Sequence, residues 1–167
     1  MFKILSLLFF FTIGTHISHA SSASKSGAAQ LSLKAKVIGI KDGDTVEVLY
    51  YQLPLVIRLE HIDSPEKKQP FGTVAKQKLS ALAFGKTITL ISKGKKGSTD
   101  GRGRIIAELY TNEKTCLNKE MVKAGLAWHY KKYSSDPEYA QLEIAARKKK
   151  IGLWSDKNPL APWLFRR

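Results

Sequence analysis

The chain has 167 residues with 28 Lys and Arg against 14 Asp and Glu, a formal net charge of +14, and a single cysteine. That length suits one domain with its own buried core, and a lone Cys116 excludes an internal disulfide as its support. The positive surplus excludes indifference to polyanions: nucleic acid, lipopolysaccharide, anionic lipid and acidic glycans would all be attracted, and charge alone does not choose among them.

Lys3, the apolar run from Ile4 to Ile13 and the small residues of Ser18-His19-Ala20 have the form of a secretory signal peptide, residues 1–20, cleaved after Ala20. The run is short for a membrane span, and no cysteine near the cleavage point offers a lipoprotein acylation site. Residues 21–32, rich in Ser, Ala and Gly, read as a flexible leader to a domain over 33–167.

Leu31, Leu33, Ala35 and Val37 alternate with polar residues and predict a first strand. Asp42-Gly43 supplies a tight turn into a second, Thr45 to Tyr50. Tyr51 to Pro54 breaks the pattern. Leu55 to His61 predicts a third strand with Leu55, Ile57 and Leu59 on one face, Arg58 and Glu60 on the other, and His61 at the rim of the apolar face. A helix is expected from Thr73, as N-cap, to Phe84, with Gly85 as its stop. Thr87 to Ile91 is a fourth strand. A Gly- and Lys-rich loop, Lys93 to Gly103, leads to a fifth, Arg104 to Tyr110. Asn118 to Ala124 is a short helix closed by Gly125, and Asp136-Pro137-Glu138 opens a stronger one that Gly152 ends. Its last turn, Arg147-Lys148-Lys149-Lys150, suits the helix dipole and reads as a solvated terminus. Five strands with a helix between the third and fourth, then two C-terminal helices, match the order of an OB-fold barrel in an α+β domain.

Three charged motifs stand out: Lys41-Asp42-Gly43-Asp44-Thr45, Arg58-Leu59-Glu60-His61-Ile62-Asp63-Ser64-Pro65-Glu66 and Asp100-Gly101-Arg102-Gly103-Arg104. Scarce carboxylates recurring beside arginines suit a site that holds a hard, oxygen-seeking cation against a phosphate. Each motif has a plainer reading alone. Asp-Gly is a common turn, Arg58 could pair with Glu60, and Arg104 could be one more solvated cation. A histidine base at His61 or His129 and a catalytic Cys116 are the weaker readings; a buried, inert thiol and packed histidines fit better.

The motifs, their order and their spacing resemble the staphylococcal nuclease family. The resemblance runs from about Ala35 to Phe165 and includes Gly125-Leu126-Ala127-Trp128, Gly152-Leu153-Trp154-Ser155, Asn158-Pro159 and Pro162-Trp163. It implies that Asp44 and Asp63 bind one Ca²⁺, with the Ser64 backbone carbonyl as a further ligand and Asp42 and Glu66 reaching the metal through water. It implies that Arg58 and Arg104 grip the scissile phosphate and that Glu66 is the general base. The expected reaction cleaves the P–O5′ bond of DNA and RNA and leaves 3′-phosphates. The chain departs from the family at Arg102, where a tyrosine that helps hold a terminal phosphate often stands. It departs again around Trp128, Tyr130 and Tyr133, where the family has a nucleotide-contacting tyrosine. Arg102, Tyr130 and Tyr133 are therefore nucleic-acid-binding candidates, while Trp128, Trp154 and Trp163 are expected in the core. The expectation is an exported, periplasmic or secreted, monomeric Ca²⁺-dependent nuclease with no stable membrane association. The alternative is an OB-fold module that binds nucleic acid without turnover. A third reading, a basic exported protein that binds surface polyanions, leaves the carboxylates without a purpose.

Overall fold

The computed structural model describes residues 29–167, so the expected signal peptide and the leader up to residue 28 lie outside the described residues. Five strands carry the fold: β1 (Gln30–Ile40), β2 (Thr45–Tyr50), β3 (Leu53–Leu59), then β5 (Thr87–Lys93) and β7 (Ile105–Tyr110). They run in the order β3-β2-β1-β5-β7 with antiparallel neighbours. A parallel pairing of β3 with β7, Ile57 opposite Ile105 and Leu59 opposite Ala107, closes the barrel. This is the expected OB-fold arrangement. Minor strands are β4 (Ile62–Asp63), paired with β8 (Trp128–His129), and β6 (Ser98–Thr99), paired with β7.

The period-two pattern sets the interior. Val37, Val46, Val48, Ile57, Leu59, Ile88, Leu90, Ala107 and Leu109 are all at most 2% exposed. Large side chains among them contribute roughly 1.5–3 kcal/mol each by leaving water. Three helices cover the barrel: α1 (Gly72–Ala83) buries Ala75, Leu79 and Ala83, α2 (Leu117–Lys123) buries Leu117, Met121 and Val122, and α3 (Pro137–Lys148) buries Tyr139 and Ala146. Asn118 pins α2 to the barrel. Its Nδ2 donates to the Glu60 and Ala107 carbonyls, and its Oδ1 accepts the Leu109 N–H. Asp136 caps α3 by accepting the Glu138 N–H, with Pro137 at the first helical position as expected.

Several boundaries differ from the sequence reading. Residues 30–32, expected in the leader, belong to β1 because Gln30 to Ser32 pair with Lys93 to Ile91. The third strand stops at Leu59, since His61 takes φ 69° and turns the chain into β4. Thr73 is not an N-cap; it lies inside α1, whose cap is Phe71 at φ 65° with no side-chain bond. A Cβ at Gly72 would come within 1.9 Å of the Glu66 carbonyl, so the close turn before α1 sets the helix start. Arg104 stands outside β7 because its N–H goes to the Asp100 carboxylate, 3.1 Å away. Two short C-terminal elements were not anticipated: a 3₁₀ turn (Gly152–Ser155) and α4 (Pro162–Phe165). Among the described residues no helix is long and apolar enough to cross a membrane.

Candidate active site

The β1–β2 turn builds the first part of the site. Asp42 Oδ1 accepts the Asp44 N–H at 3.0 Å, curling the loop inward. Gly43 lies against Ser64 and Ala75, where a Cβ would approach within 2.6 Å of the Ala75 methyl. Asp44 is thereby buried, with Oδ2 accepting the Ser64 N–H at 2.7 Å and Oδ1 accepting the Thr45 hydroxyl at 3.1 Å. The Ser64 hydroxyl donates to the Gly43 and Leu126 carbonyls and so ties this loop to the segment after α2.

Barrel register brings in the arginines. Thr45 pairs with Arg58 across β2 and β3, and Arg58 pairs with Ile106 across β3 and β7. Arg58 Nη2 stands 3.2 Å from Asp44 Oδ2 and 2.9 Å from Asp63 Oδ1, and Nη1 donates to the Leu59 carbonyl. Asp63 is buried in β4. Arg104 is held by Asp100, with Nε and Nη2 both 2.7 Å from Oδ2, and its Nη1 reaches the Thr45 hydroxyl at 3.3 Å. Contacts therefore run without a gap from Arg104 through Thr45, Asp44 and Arg58 to Asp63. Arg58 does not pair with Glu60, which takes Lys93 instead at 2.5 Å.

Glu66 lies at the rim, its side chain 37% exposed. It meets a residue that the motifs did not reveal: Arg166 Nη1 lies 2.6 Å from Glu66 Oε1, and Nη2 lies 2.8 Å from Asp63 Oδ2. Buried Gln69 fastens the same region, accepting the Glu66 N–H and donating to the Leu160 carbonyl. No short-range signal marks Arg166, because 103 residues separate it from Asp63.

Electrostatics follow the burial. Desolvation pushes the Asp44 carboxyl up to about 7; the nearby Asp42 and Asp63 charges add to this, while the Arg58 guanidinium and the Ser64 N–H oppose it. Partial burial also pushes Asp100 upward, but hydrogen bonds from the Arg104 side chain and from the Arg104 and Arg102 N–H groups outweigh it and hold the carboxyl below its ordinary range. Hydrogen bonds to Asp63 and then Glu66 hold the Arg166 guanidinium more firmly protonated still.

Among the described residues no three His, Cys, Asp or Glu side chains converge on one point. Two carboxylates, those of Asp44 and Asp63, instead converge on the single positive charge of Arg58 Nη2. An all-oxygen pair around a locus that already demands a cation fits a hard dication completed by carbonyl, water and phosphate oxygens.

Tyr130 stacks on Trp163 with centroids 5.3 Å apart, and Tyr133 meets its edge while staying 68% exposed. Tyr130 lines a cleft of about 550 Å³ together with Lys131, Lys132, Trp163 and Arg166, and Tyr133 lies outside that lining. Arg102 is exposed, its N–H bonded to Asp100. Trp154 is buried, whereas Trp128 and Trp163 are only half-buried, packed edge-on to one another. Arg147 is not a simply solvated cation: it lies 3.7 Å over the Trp154 ring and pairs with Glu143. His61 Nδ1 and His129 Nε2 share the Ser134 hydroxyl, at 2.8 and 2.9 Å, rather than meeting Asp44 or Asp63. Burial pushes the Cys116 thiol up, as befits an inert position.

Residues 56–156, which hold Arg58, Asp63, Glu66 and Arg104, match the family model described as staphylococcal nuclease homologue. The chain belongs to the staphylococcal nuclease family. It is 39% identical over 134 residues to an uncharacterized endonuclease of Escherichia coli, covering 80% of this chain and 85% of that one. It is 44% identical over 133 residues to an uncharacterized endonuclease of Haemophilus influenzae, covering 79% and 72%. A micrococcal nuclease of Shigella flexneri is 34% identical over 149 residues, 83% of each chain. As a staphylococcal nuclease homologue the protein is a metal-dependent nuclease, a hydrolase of phosphodiester bonds in nucleic acid.

Proposed function

We propose that this nuclease is exported, depends on Ca²⁺ and hydrolyses DNA and RNA with little sequence preference, leaving 3′-phosphate ends. The observation that carries the reading is the unbroken run of contacts Arg104–Thr45–Asp44–Arg58–Asp63, which gathers two arginines and two buried carboxylates at one end of the barrel. Asp44, Asp63 and the Ser64 carbonyl would hold the ion, with Asp42 reached through water. Bound there, Ca²⁺ would neutralise phosphate charge and lower the cost of adding a fifth oxygen to phosphorus.

This chain's own groups do the rest. Arg58 and Arg104 donate to non-bridging phosphate oxygens, where charge grows as the reaction proceeds, and their planar forks suit that task better than lysine. Glu66 accepts a proton from the attacking water as the new P–O bond forms. The P–O5′ bond breaks, the O5′ oxygen takes a proton from solvent, and phosphate stays on the 3′ side. Arg102, Tyr130 and Tyr133 contact the strand, the aromatics by stacking on bases. The N-terminal pattern of Lys3, apolar run and Ser18-His19-Ala20 supports release to periplasm or medium, and we propose that the released protein is a monomer without stable membrane association.

The test is incubation of protein starting at Ser21 with single-stranded DNA and RNA, in Ca²⁺, Mg²⁺ or chelator, with identification of product ends. Cleavage of both in Ca²⁺ to 3′-phosphates is expected, with poor support by Mg²⁺. Full activity in chelator, or 5′-phosphate ends, overturns the reading.

A further inference from the structure

The C-terminal segment is fastened over the carboxylates at several points. Trp163 of α4 lies face to face with Tyr130 and edge-on to Trp128. Gln69 donates to the Leu160 carbonyl at 2.5 Å. These anchors deliver Arg166 to the site, where one guanidinium spans Asp63 and Glu66: Nη2 to Asp63 Oδ2 at 2.8 Å, Nη1 to Asp63 Oδ1 at 3.4 Å and Nη1 to Glu66 Oε1 at 2.6 Å. Arg58 already occupies Asp63 Oδ1 at 2.9 Å. Both oxygens of this buried carboxylate thus face guanidinium groups, and among the described residues Arg166 alone covers Oδ2.

A carboxylate oxygen has few lone-pair directions, and an ion seeking it meets Arg166 in the way. Asp63 is 2% exposed, and its other guanidinium partner, Arg58, is shared with buried Asp44, so without Arg166 one positive charge would serve two buried carboxylates. The Arg166 side chain is itself 38% exposed and lies just beyond α4, outside the barrel, so it can swing aside without disturbing the core. Arg58, 12% exposed within β3, has no such freedom.

Resting on the reading of Asp63 as a metal ligand, we propose that Arg166 is a built-in cation that occupies Asp63 and Glu66 until a divalent ion displaces it. Its guanidinium offsets part of the carboxylate charge of Asp63 and Glu66, and its competition sets the ion concentration at which the site fills.

The experiment is calorimetric titration of Ca²⁺ into the protein without substrate, comparing wild type with Arg166→Ala, Arg166→Lys and Arg167→Ala. Arg166→Ala is expected to bind Ca²⁺ roughly tenfold more tightly, since a charge-assisted fork no longer competes. Arg166→Lys, which keeps charge but loses the fork, should fall between. Arg167→Ala removes one neighbouring charge without any carboxylate contact and should bind within about twofold of wild type, the scale of a screened exposed charge. Melting curves give a second readout: without metal Arg166→Ala should melt below wild type, and saturating Ca²⁺ should raise its melting temperature more than that of wild type. Affinity in Arg166→Ala equal to or weaker than in Arg167→Ala overturns the proposal while leaving the nuclease reading intact. No Ca²⁺ binding by any of the proteins overturns the metal reading itself, and the displacement with it.

Discussion

Asp44 shows how a single side chain couples burial to chemistry. Its folded carboxyl sits near 7, well above its ordinary 3.8, because desolvation disfavours the charge. The sign follows from which state holds the proton more tightly, which is the folded one. Without metal, Asp44 therefore costs stability progressively as pH rises from about 4 to 7, and below that range its contribution is neutral. Ca²⁺ favours the ionised form, so binding at pH 6 to 7 should release protons, and affinity should rise across the same window. Titrations in two buffers of different ionisation enthalpy measure the protons released; no release at pH 6.5 would refute the Asp44 assignment. At the same scale, Arg58→Ala and Arg104→Ala should each lower turnover by about 10²–10³. Their effect on DNA affinity in chelator should be small, because they act where charge develops. Wild-type turnover at saturating substrate in both variants would mean another site does the chemistry.

Elements position these residues through close approaches that tolerate little change. Gly125, at φ 66°, ends the turn after α2, and its carbonyl accepts the Leu153 N–H at 2.8 Å. A Cβ there would stand 2.3 Å from the Ile151 carbonyl, and one at Gly152 would stand 2.2 Å from the Gly125 carbonyl. Gly125→Ala should destabilise the domain by at least about 1–3 kcal/mol from backbone strain alone, read as a lowered midpoint in urea. Because the Leu126 carbonyl next to it accepts the Ser64 hydroxyl, the same change should also slacken the turn between β1 and β2 that holds Asp44. Trp163→Ala removes two aromatic contacts worth about 0.5–1.5 kcal/mol each. It should loosen α4 without unfolding the barrel, which contains no residue of that helix. Hydrogen exchange confined to the C-terminal segment would verify this, and global loss of protection would contradict it.

At the scale of the whole molecule, the charge of +14 makes affinity a matter of counterion release. DNA binding in chelator should weaken steeply with salt. Replacing Lys148 and Lys149, both exposed, with Gln should lower the affinity and flatten the salt slope while leaving the rate at saturation unchanged. Arg147 in the same run should behave differently, since it is stacked on Trp154 and paired with Glu143. Its loss should show as reduced stability rather than a changed slope, because its stem and guanidinium cover aromatic surface. An Arg147→Ala protein with wild-type melting and a flattened slope would reverse that assignment.

The barrel and the covering helices α1 to α3 were legible in the chain because alternation and helical spacing are local patterns that burial enforces. That Asp44, Asp63, Arg58, Glu66 and Arg104 gather in one place was legible too, since their motifs lie on adjacent strands and turns. Tertiary structure alone decided which charge meets which. The pairing of β3 with β7 joins Arg58 to Arg104 through Thr45, although 59 residues separate Thr45 from Arg104. Glu60, the obvious partner of Arg58 by sequence, faces Lys93 across the fold instead. Arg166 carries no motif, and only the anchoring of α4 by Trp163 and Gln69 brings it to Asp63. Local sequence determines which face a side chain occupies; its electrostatic partner depends on how distant segments close around the site, which no short-range pattern encodes.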